Sequence, residues 1–497
     1  MDALSKKFTR QKFLDLVGAG AASIALLNFS GCEGGQGNRS LSASANEART
    51  FRSRPDLSPP AVEVTTRTDG TAPGYIFVAA KKGAGQDGPM IFDDHGQLVW
   101  FSKNRYATDF RVQNYRGRPV LTWWQGSILA GHGVGEYFIF DDSYREIARV
   151  KAANGHKGDL HEFNITPQDT ALITSYVPKQ TDLSAIGGPE DGMVWEGTAQ
   201  EVDIETGELL FEWRSLDHVG VDESYYDNPP DDPNEPLDYF HINSLEIDFD
   251  RKLLISAKGT STVYKVDRAT GDVLWRLGGK RSDFDMGAGT RTVSQHDARR
   301  QSDGTITIFD NGAPPKVHDQ SRGIVVKLDM DEMRATLVRE FAHPNNVLST
   351  SQGNVQVLPK ANVFIGWGSE PYFSEYTHDG KLLFDAKFVG DAQSYRAFRL
   401  PWSGHPGDDP AVAVERGSGD EVTLYASWNG ATEVESWQVL AGSDPDRLKP
   451  VGSAPKRGFE TRVSVRTSES YVTVQARNAS ERVLGTASAV KAGERTT

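Results

Sequence analysis

The chain is predicted to be all-β: a six-bladed β-propeller followed by a small immunoglobulin- or fibronectin-type β-sandwich. Six segments, at 90–100, 137–145, 201–211, 263–275, 325–334 and 375–384, repeat one pattern of alternating apolar residues, an acidic or polar turn and a second strand. Each is a β-hairpin by the usual signals. A further strand stands before the hairpins, as in Pro119-Val120-Leu121-Thr122-Trp123-Trp124 and Asn362-Val363-Phe364-Ile365-Gly366-Trp367. The 49 glycines and 24 prolines suit many short strands and turns better than long helices. A unit that recurs in this way and supplies several strands each time is the signature of a propeller blade.

Residues 1–32 have the layout of an export signal: Lys6, Lys7, Arg10 and Lys12 make a basic start, and an apolar, small-residue run extends from Leu16 to Phe29. That run is short for a membrane span. Ser30-Gly31-Cys32 resembles a bacterial lipobox, with Phe29 where Leu is usual. Cys32 is therefore the expected lipidation site, and the expected location is the cell surface or periplasm, with the lipid holding the chain to the membrane. Thr9-Arg10-Gln11-Lys12 has Gln11 in place of the second arginine of a twin-arginine signal, which leaves the export route open. Residues 33–65, rich in Gly, Ser, Asn, Pro and charge, read as a flexible tether. The propeller is expected over 66–405, with an insert at 178–236 forming loops over one mouth. The register changes near Trp402, and 406–497 carry the alternating strands of the sandwich, with Trp428 in an early one.

The net charge of −14, with no basic face in evidence, argues against a nucleic-acid partner. A single cysteine excludes an intramolecular disulfide framework and a thiolate zinc site.

Three polar clusters lead into apolar strands at equivalent places. Asp159-Leu160-His161-Glu162-Phe163 precedes Ala171-Leu172-Ile173, Tyr239-Phe240-His241-Ile242-Asn243 precedes Leu253-Leu254-Ile255, and Ser294-Gln295-His296-Asp297-Ala298 precedes Ile306-Thr307-Ile308-Phe309. In a propeller the innermost strands line an axial channel, so His161, His241 and His296 are expected to meet. Imidazoles gathered in one cavity raise one another's cost of carrying charge, which keeps some neutral and nucleophilic near neutral pH. Three histidines could also hold zinc, and Glu162, Asn243, Asp297 and Asn354 a calcium ion, but strand alternation turns Glu162 and Asp297 away from the neighbouring histidines. The reading adopted has no metal and no cofactor. Lys258, Arg299, Arg300 and Arg322 are the cations nearest the histidine units, and an anionic substrate would need at least one.

His241-Ile242-Asn243-Ser244, Gln295-His296-Asp297-Ala298 leading to Phe309-Asp310-Asn311-Gly312, Leu160-His161-Glu162-Phe163 and Ser261-Thr262-Val263-Tyr264-Lys265 together resemble the arylsulfate sulfotransferases, in the branch with a C-terminal sandwich. The resemblance runs from about Gly74 through Trp402 and extends to Trp428-Asn429-Gly430-Ala431-Thr432-Glu433. It implies a propeller that moves a sulfuryl group from a phenolic sulfate ester to a phenol without a nucleotide sulfate donor, in two steps through a sulfohistidine. By motif the nucleophile falls on His296. His241 and His161 fall on positions that bind sulfate oxygens or handle phenolic protons, and Lys258, Asn243, Arg299 and Arg322 are the expected substrate-binding set. Lys258 and Gly259 stand where the family usually has Arg and His. A cell-surface binding module on the same scaffold is the alternative, and a metal-dependent hydrolase a further one.

Overall fold

The computed structural model describes residues 48–493, apart from 105, 227, 231, 233 and 234. The export signal, Cys32 and the first part of the tether lie outside the described residues. The protein is all-β: among the described residues the only helical elements are the short 3-10 turns Ser184–Ile186, Ser215–Asp217, Val221–Glu223 and Pro359–Ala361. No helix of the described residues is long and apolar enough to cross a membrane.

All six expected hairpins form as antiparallel pairs. Each belongs to a run of four strands. Ile242–Ile247, Leu253–Ala257, Thr262–Val266 and Val273–Gly278 make one complete sheet, and His296–Arg300, Ile306–Asp310, Arg322–Asp329 and Arg334–Ala342 form the body of the next. The runs over 107–150 and 158–214 are joined into one eight-stranded sheet where Gly135 lies opposite Gly158. Asn354–Val357, Val363–Gly366, Tyr372–Tyr376 and Leu382–Phe388 follow, extended at the edge by Val62–Arg67. The remaining run is assembled from both ends of this region: Tyr75–Ala80, Gly88–Phe92 and Leu98–Phe101 take their fourth strand, Ala397–Leu400, from some three hundred residues later, as about that separation of Phe77 and Phe398 shows.

The apolar side chains of the runs meet pairwise. Phe77, Ile91 and Trp100 pack on Phe110, Leu121 and Trp123. Tyr137 and Ile139 pack on Phe163 and Ile173, and Val194 and Trp213 on Phe240 and Ile255. Val263 and Leu277 meet Ile306 and Ile324, and Phe309 and Phe341 meet Ile365 and Tyr376. Phe364 and Phe384 then return to Ile76, Phe92 and Phe101, so the last run packs on the first. Burying strands on both faces in this way explains why many read as continuous apolar stretches rather than alternating ones.

Two departures from expectation have simple causes. Residues 48–65 are not a free tether: Phe51 stacks on Phe459, Leu57 is buried, Arg49 binds Gln97 and the Gly96 carbonyl, and Val62–Arg67 pairs with Leu382–Phe388. A few apolar residues in a polar stretch suffice to fix it when an open sheet edge is at hand. The insert at 178–236 is not all loop, because Thr170–Thr181 and Gly192–Asp203 continue as one long hairpin as far as Thr181 opposite Gly192.

Beyond Trp402, Ala411–Arg416, Glu421–Ser427 and Glu460–Arg466 form a three-stranded sheet, and Ser436–Gly442, Lys449–Pro455, Tyr471–Arg477, Val483–Thr486 and Val490–Lys491 a second sheet of five. The two share one apolar cluster around Leu424, Trp437, Val463 and Val474. This region is fastened to the rest through Asn429, which exchanges hydrogen bonds with the Phe101 backbone, and through Tyr144, whose hydroxyl donates to the Gly430 carbonyl.

Candidate active site

The strands Gly158–Ile165, Ile242–Ile247 and His296–Arg300 run side by side, each the first strand of its run. Their pairing slips near each histidine: by one residue between Ile242 and Ser244 and between His296 and Arg299, and by three on the His161 strand, where Phe163 lies opposite Ile173 and Gly158 opposite Ser175. Bulges of this kind re-aim side chains at the end of a sheet. Here they bring three imidazoles together: the rings of His161 and His241 lie 4.7 Å apart, and those of His241 and His296 6.4 Å apart. All three are buried, His296 to 1% exposure and His241 to 8%.

Each imidazole is oriented through Nδ1. His296 Nδ1 lies 2.8 Å from Asn311 Oδ1 and 3.1 Å from the Ser294 carbonyl, both acceptors, so Nδ1 carries the hydrogen. Nε2 then holds the lone pair, and it accepts from the Gln352 backbone N–H at 3.2 Å. His161 Nδ1 donates to Asp159 Oδ2 at 2.6 Å. His241 Nδ1 is bonded to Asp238. His241 is itself held at a φ of 52°, a left-handed conformation that non-glycine residues adopt rarely and that concentrates at functional sites.

Charge follows from burial. Desolvation, then the nearby Lys258 and His241, hold the His296 imidazole well below its ordinary value; burial, then His161 and Lys258, do the same for His241. Both are neutral at physiological pH. Burial alone would raise Asp159, but contact with His161 outweighs it and brings the carboxyl down to about 2. Asp159 is therefore the anion that steadies His161.

The sequence reading missed several residues that complete this hollow. His132 enters from the tip of His132–Phe140, its ring 5.5 Å from that of His241 and 4.0 Å from that of Tyr176. It is delivered by the flanking glycines: a Cβ on Gly133 would stand 2.4 Å from the Leu160 nitrogen, and one on Gly135 2.7 Å from the Trp124 ring. Only glycine lets this hairpin lie so close to the His161 strand. The signal was present in Gly131-His132-Gly133-Val134-Gly135. Tyr395 closes another wall, 5.5 Å from His161 and 6.4 Å from His296 between ring centroids. Trp195 stands 5.0 Å from His132.

The expected substrate-binding residues divide. Lys258 is half-buried, sits over the Tyr226 ring at 5.8 Å, and among the described residues is in no ion pair. The other three are corrections. Arg299 binds Glu162 at 2.5 Å, Asp297 at 2.8 Å and the Leu245 carbonyl. Arg322 is held by Asp310 and Glu340 at 2.9 and 2.8 Å, and Asn243 donates to the Gln295 carbonyl at 2.7 Å, stitching neighbouring strands. The two arginine charges are thus paired with carboxylates and the Asn243 amide N–H is taken, while Asn243 Oδ1 is buried without a partner. Arg300, likewise, is paired with Asp248 at 3.0 Å.

Arg299 belongs to a second buried cluster beside the imidazoles. Glu162 accepts from Arg111 at 2.8 Å, Arg299 at 2.5 Å and Arg396 at 3.3 Å; Arg396 also reaches Asp109 at 2.9 Å and Asp297 at 3.3 Å. Burial by itself would raise Glu162, yet Arg299, Arg396 and Arg111 hold it well below the usual carboxylate range. Asn354, raised as a calcium ligand, instead exchanges hydrogen bonds with the Ala397 backbone. With Glu162 and Asp297 committed to arginines, that oxygen cage does not form.

Gly259 explains one departure from the family motif. A Cβ there would stand 2.3 Å from the Tyr239 carbonyl oxygen, and Gly259 N–H donates to the Phe240 carbonyl at 2.9 Å. A histidine at 259 has no room unless the backbone leading into His241 moves.

Buried imidazoles, two of them neutral, beside a free lysine are suited to nucleophilic or proton-transfer chemistry on a small anion. The chain belongs to the arylsulfotransferase (ASST) family, whose pattern it matches over residues 111–389. No curated protein matches it. Among solved structures it is similar to a protein of unknown function from Bacteroides caccae, at 12% identity over 66% of this chain and 100% of that one, with a TM-score of 0.40. It is similar also to virginiamycin B lyase from Staphylococcus aureus, at 10% identity over 65% of this chain and 81% of that one, TM-score 0.24. The GH43 protein BlXynB from Bacillus licheniformis is another, at 8% identity over 78% and 89%, TM-score 0.30. Likenesses this low carry nothing about activity.

Proposed function

We propose that the chain is an aryl sulfotransferase that moves a sulfuryl group from a phenolic sulfate ester to a phenol through a sulfohistidine on His296. The observation that carries it is the meeting of three imidazoles whose Nδ1 atoms are all engaged, with the lone pair of His296 on Nε2. In the first step Nε2, giving up the hydrogen bond it accepts from the Gln352 N–H, attacks sulfur, an N–S bond forms, the ester S–O bond breaks and the phenol oxygen leaves. His161, steadied by the Asp159 carboxylate, supplies the proton that the phenoxide takes. In the second step an acceptor phenol gives its proton back to His161, attacks sulfur and releases His296. A dyad of histidine with a buried carboxylate suits both halves, because the carboxylate stabilises the imidazolium that gives up its proton in the first step and is formed again in the second. Lys258 and His241 face the sulfuryl oxygens, and Tyr176, Tyr395 and Trp195 provide aromatic walls for the rings of donor and acceptor.

This reading takes the six four-stranded runs of 66–405 as blades of a propeller, supported by their pairwise packing and by the return of Ala397–Leu400 to the first run. It takes 406–497 as a sandwich, supported by two sheets around one cluster. An export signal ending in lipidated Cys32 would place the enzyme outside the cytoplasm on a membrane.

Mixing the protein with p-nitrophenyl sulfate and measuring its intact mass tests the reaction. One sulfuryl adduct is expected, mapping to His296 and lost on addition of phenol. A folded wild type that neither acquires the adduct nor releases p-nitrophenol would make the chain a binding module instead.

A further inference from the structure

His132 has no part in the transfer just described, and Asp238 enters it only by orienting His241. His132, Asp238 and His241 each offer one ligand atom, and the three atoms lie within 4.8 Å of one another. Both ring nitrogens of His132 are buried without a hydrogen-bond partner, and so is Oδ1 of Asp238. The His132 side chain is 3% exposed, and its Nε2 points at Asp238 Oδ2 from 3.6 Å. Orphaned polar atoms this close together are uncommon in a native interior, and one ion bound to the lone-pair nitrogen of His132 and to the Asp238 carboxylate would satisfy two of the three.

We propose that His132, Asp238 and His241 form a binding site for a divalent first-row transition ion, with zinc the ion used to test it. Two imidazoles and one carboxylate are a donor set that such ions accept while keeping a coordination position open. The exchange balances simply. His241 Nδ1 and Asp238 share a hydrogen bond; on binding, the single hydrogen of the neutral imidazole moves to Nε2 and the cation takes its place between Nδ1 and the carboxylate, so one ion enters and no proton is lost. Placement of the ligands is built into the fold: the Gly133–Gly135 approach fixes His132, and the left-handed backbone at His241 fixes the third ligand. His161 stands next to this set, its ring 6.5 Å from His132 and 4.7 Å from His241, with Nδ1 taken by Asp159. The open position therefore borders the hollow where the sulfuryl oxygens would lie. That last consequence rests on the sulfotransferase reading; the ion site itself does not.

The test uses the full chain, stripped with a chelator and re-equilibrated with zinc or cobalt. About one zinc per chain is expected by elemental analysis, and the cobalt form should show visible bands of a low-coordinate nitrogen and oxygen site. His132→Gln and Asp238→Asn should each weaken zinc binding by about a hundredfold or more, while His296→Asn, which removes no ligand, should keep it. A wild type that retains neither ion, or a His132→Gln variant that binds as tightly as wild type, overturns the proposal and assigns the orphaned atoms to ordered water. Should the variants fail to fold, the cobalt spectrum of the wild type decides by itself. Adduct formation on His296 is measured separately on the chelated wild type, so loss of the transfer reaction and loss of the ion site remain distinguishable.

Discussion

His161 and Glu162 are neighbours on one strand, as are His296 and Asp297, yet the two members of each pair lie in unlike surroundings. On the imidazole side, His132, His161, His241 and His296 crowd together with a free lysine nearby, and two of the rings are held neutral by burial. On the other side, Arg111, Arg299 and Arg396 interlock with Asp109, Glu162 and Asp297. One cluster keeps lone pairs available and the other leaves almost nothing available. The comparison teaches that burial alone does not mark a functional site. What marks it is burial without compensation, since buried charges that serve structure are paired.

The sharpest way to break the contrast is His296→Asn. Sulfuryl transfer should fall at least about a thousandfold while the thermal midpoint stays close to wild type, read by p-nitrophenol release and by calorimetry. Arg396→Met should do the reverse. It leaves Glu162, Asp109 and Asp297 short of a cation, and a loss of ~3–5 kcal/mol is expected in denaturant unfolding. If Arg396→Met instead abolished transfer with stability intact, the division between the two sides would be wrong.

Gly259→Ala probes the seam between them. Its methyl would meet the Tyr239 carbonyl at 2.3 Å, so the turn that carries His241 must shift. A destabilisation of ~1–3 kcal/mol should accompany a raised KM. Acid provides a gentler probe. The folded value of His296 lies below the unfolded 6.5, so below that pH the unfolded chain binds the extra proton and folding loses stability as pH falls. His296→Asn lacks this group, so its stability relative to wild type should improve between about pH 7 and pH 5; an unchanged difference would mean that the ring is not held neutral. The smallest change is Lys258→Met, expected to lower kcat/KM about tenfold and leave stability alone. A variant as active as wild type would move the sulfate contact elsewhere.

The positions of His161, His241 and His296 could be read in the sequence because each sits at the same place in a repeat, and repeat position fixes spatial position. The hairpins were legible for the same reason. Asp159 and Asp238 lie only two and three residues from the histidines they orient, but local spacing does not say which nearby carboxylate turns towards a ring. Arg299 was expected at the substrate because a charge shows in sequence and its partner does not: it finds Glu162 across 137 residues, and Arg396, which the sequence did not single out, finds Asp109 across 287. His132 was overlooked because it belongs to a hairpin tip rather than to a first strand, and only the close approach of Gly133 and Gly135 carries it inward.

The late strand Ala397–Leu400 has a consequence for how the molecule comes into being. Tyr75–Ala80 is made early and has no neighbour on one edge until that strand appears, and Arg396, which immediately precedes it, brings the cation that Glu162 and Asp109 require. A nascent chain halted before residue 396 would hold an unsatisfied edge and a carboxylate cluster short of one cation, and so would stay incompletely closed. Completion is thereby tied to the arrival of one short segment.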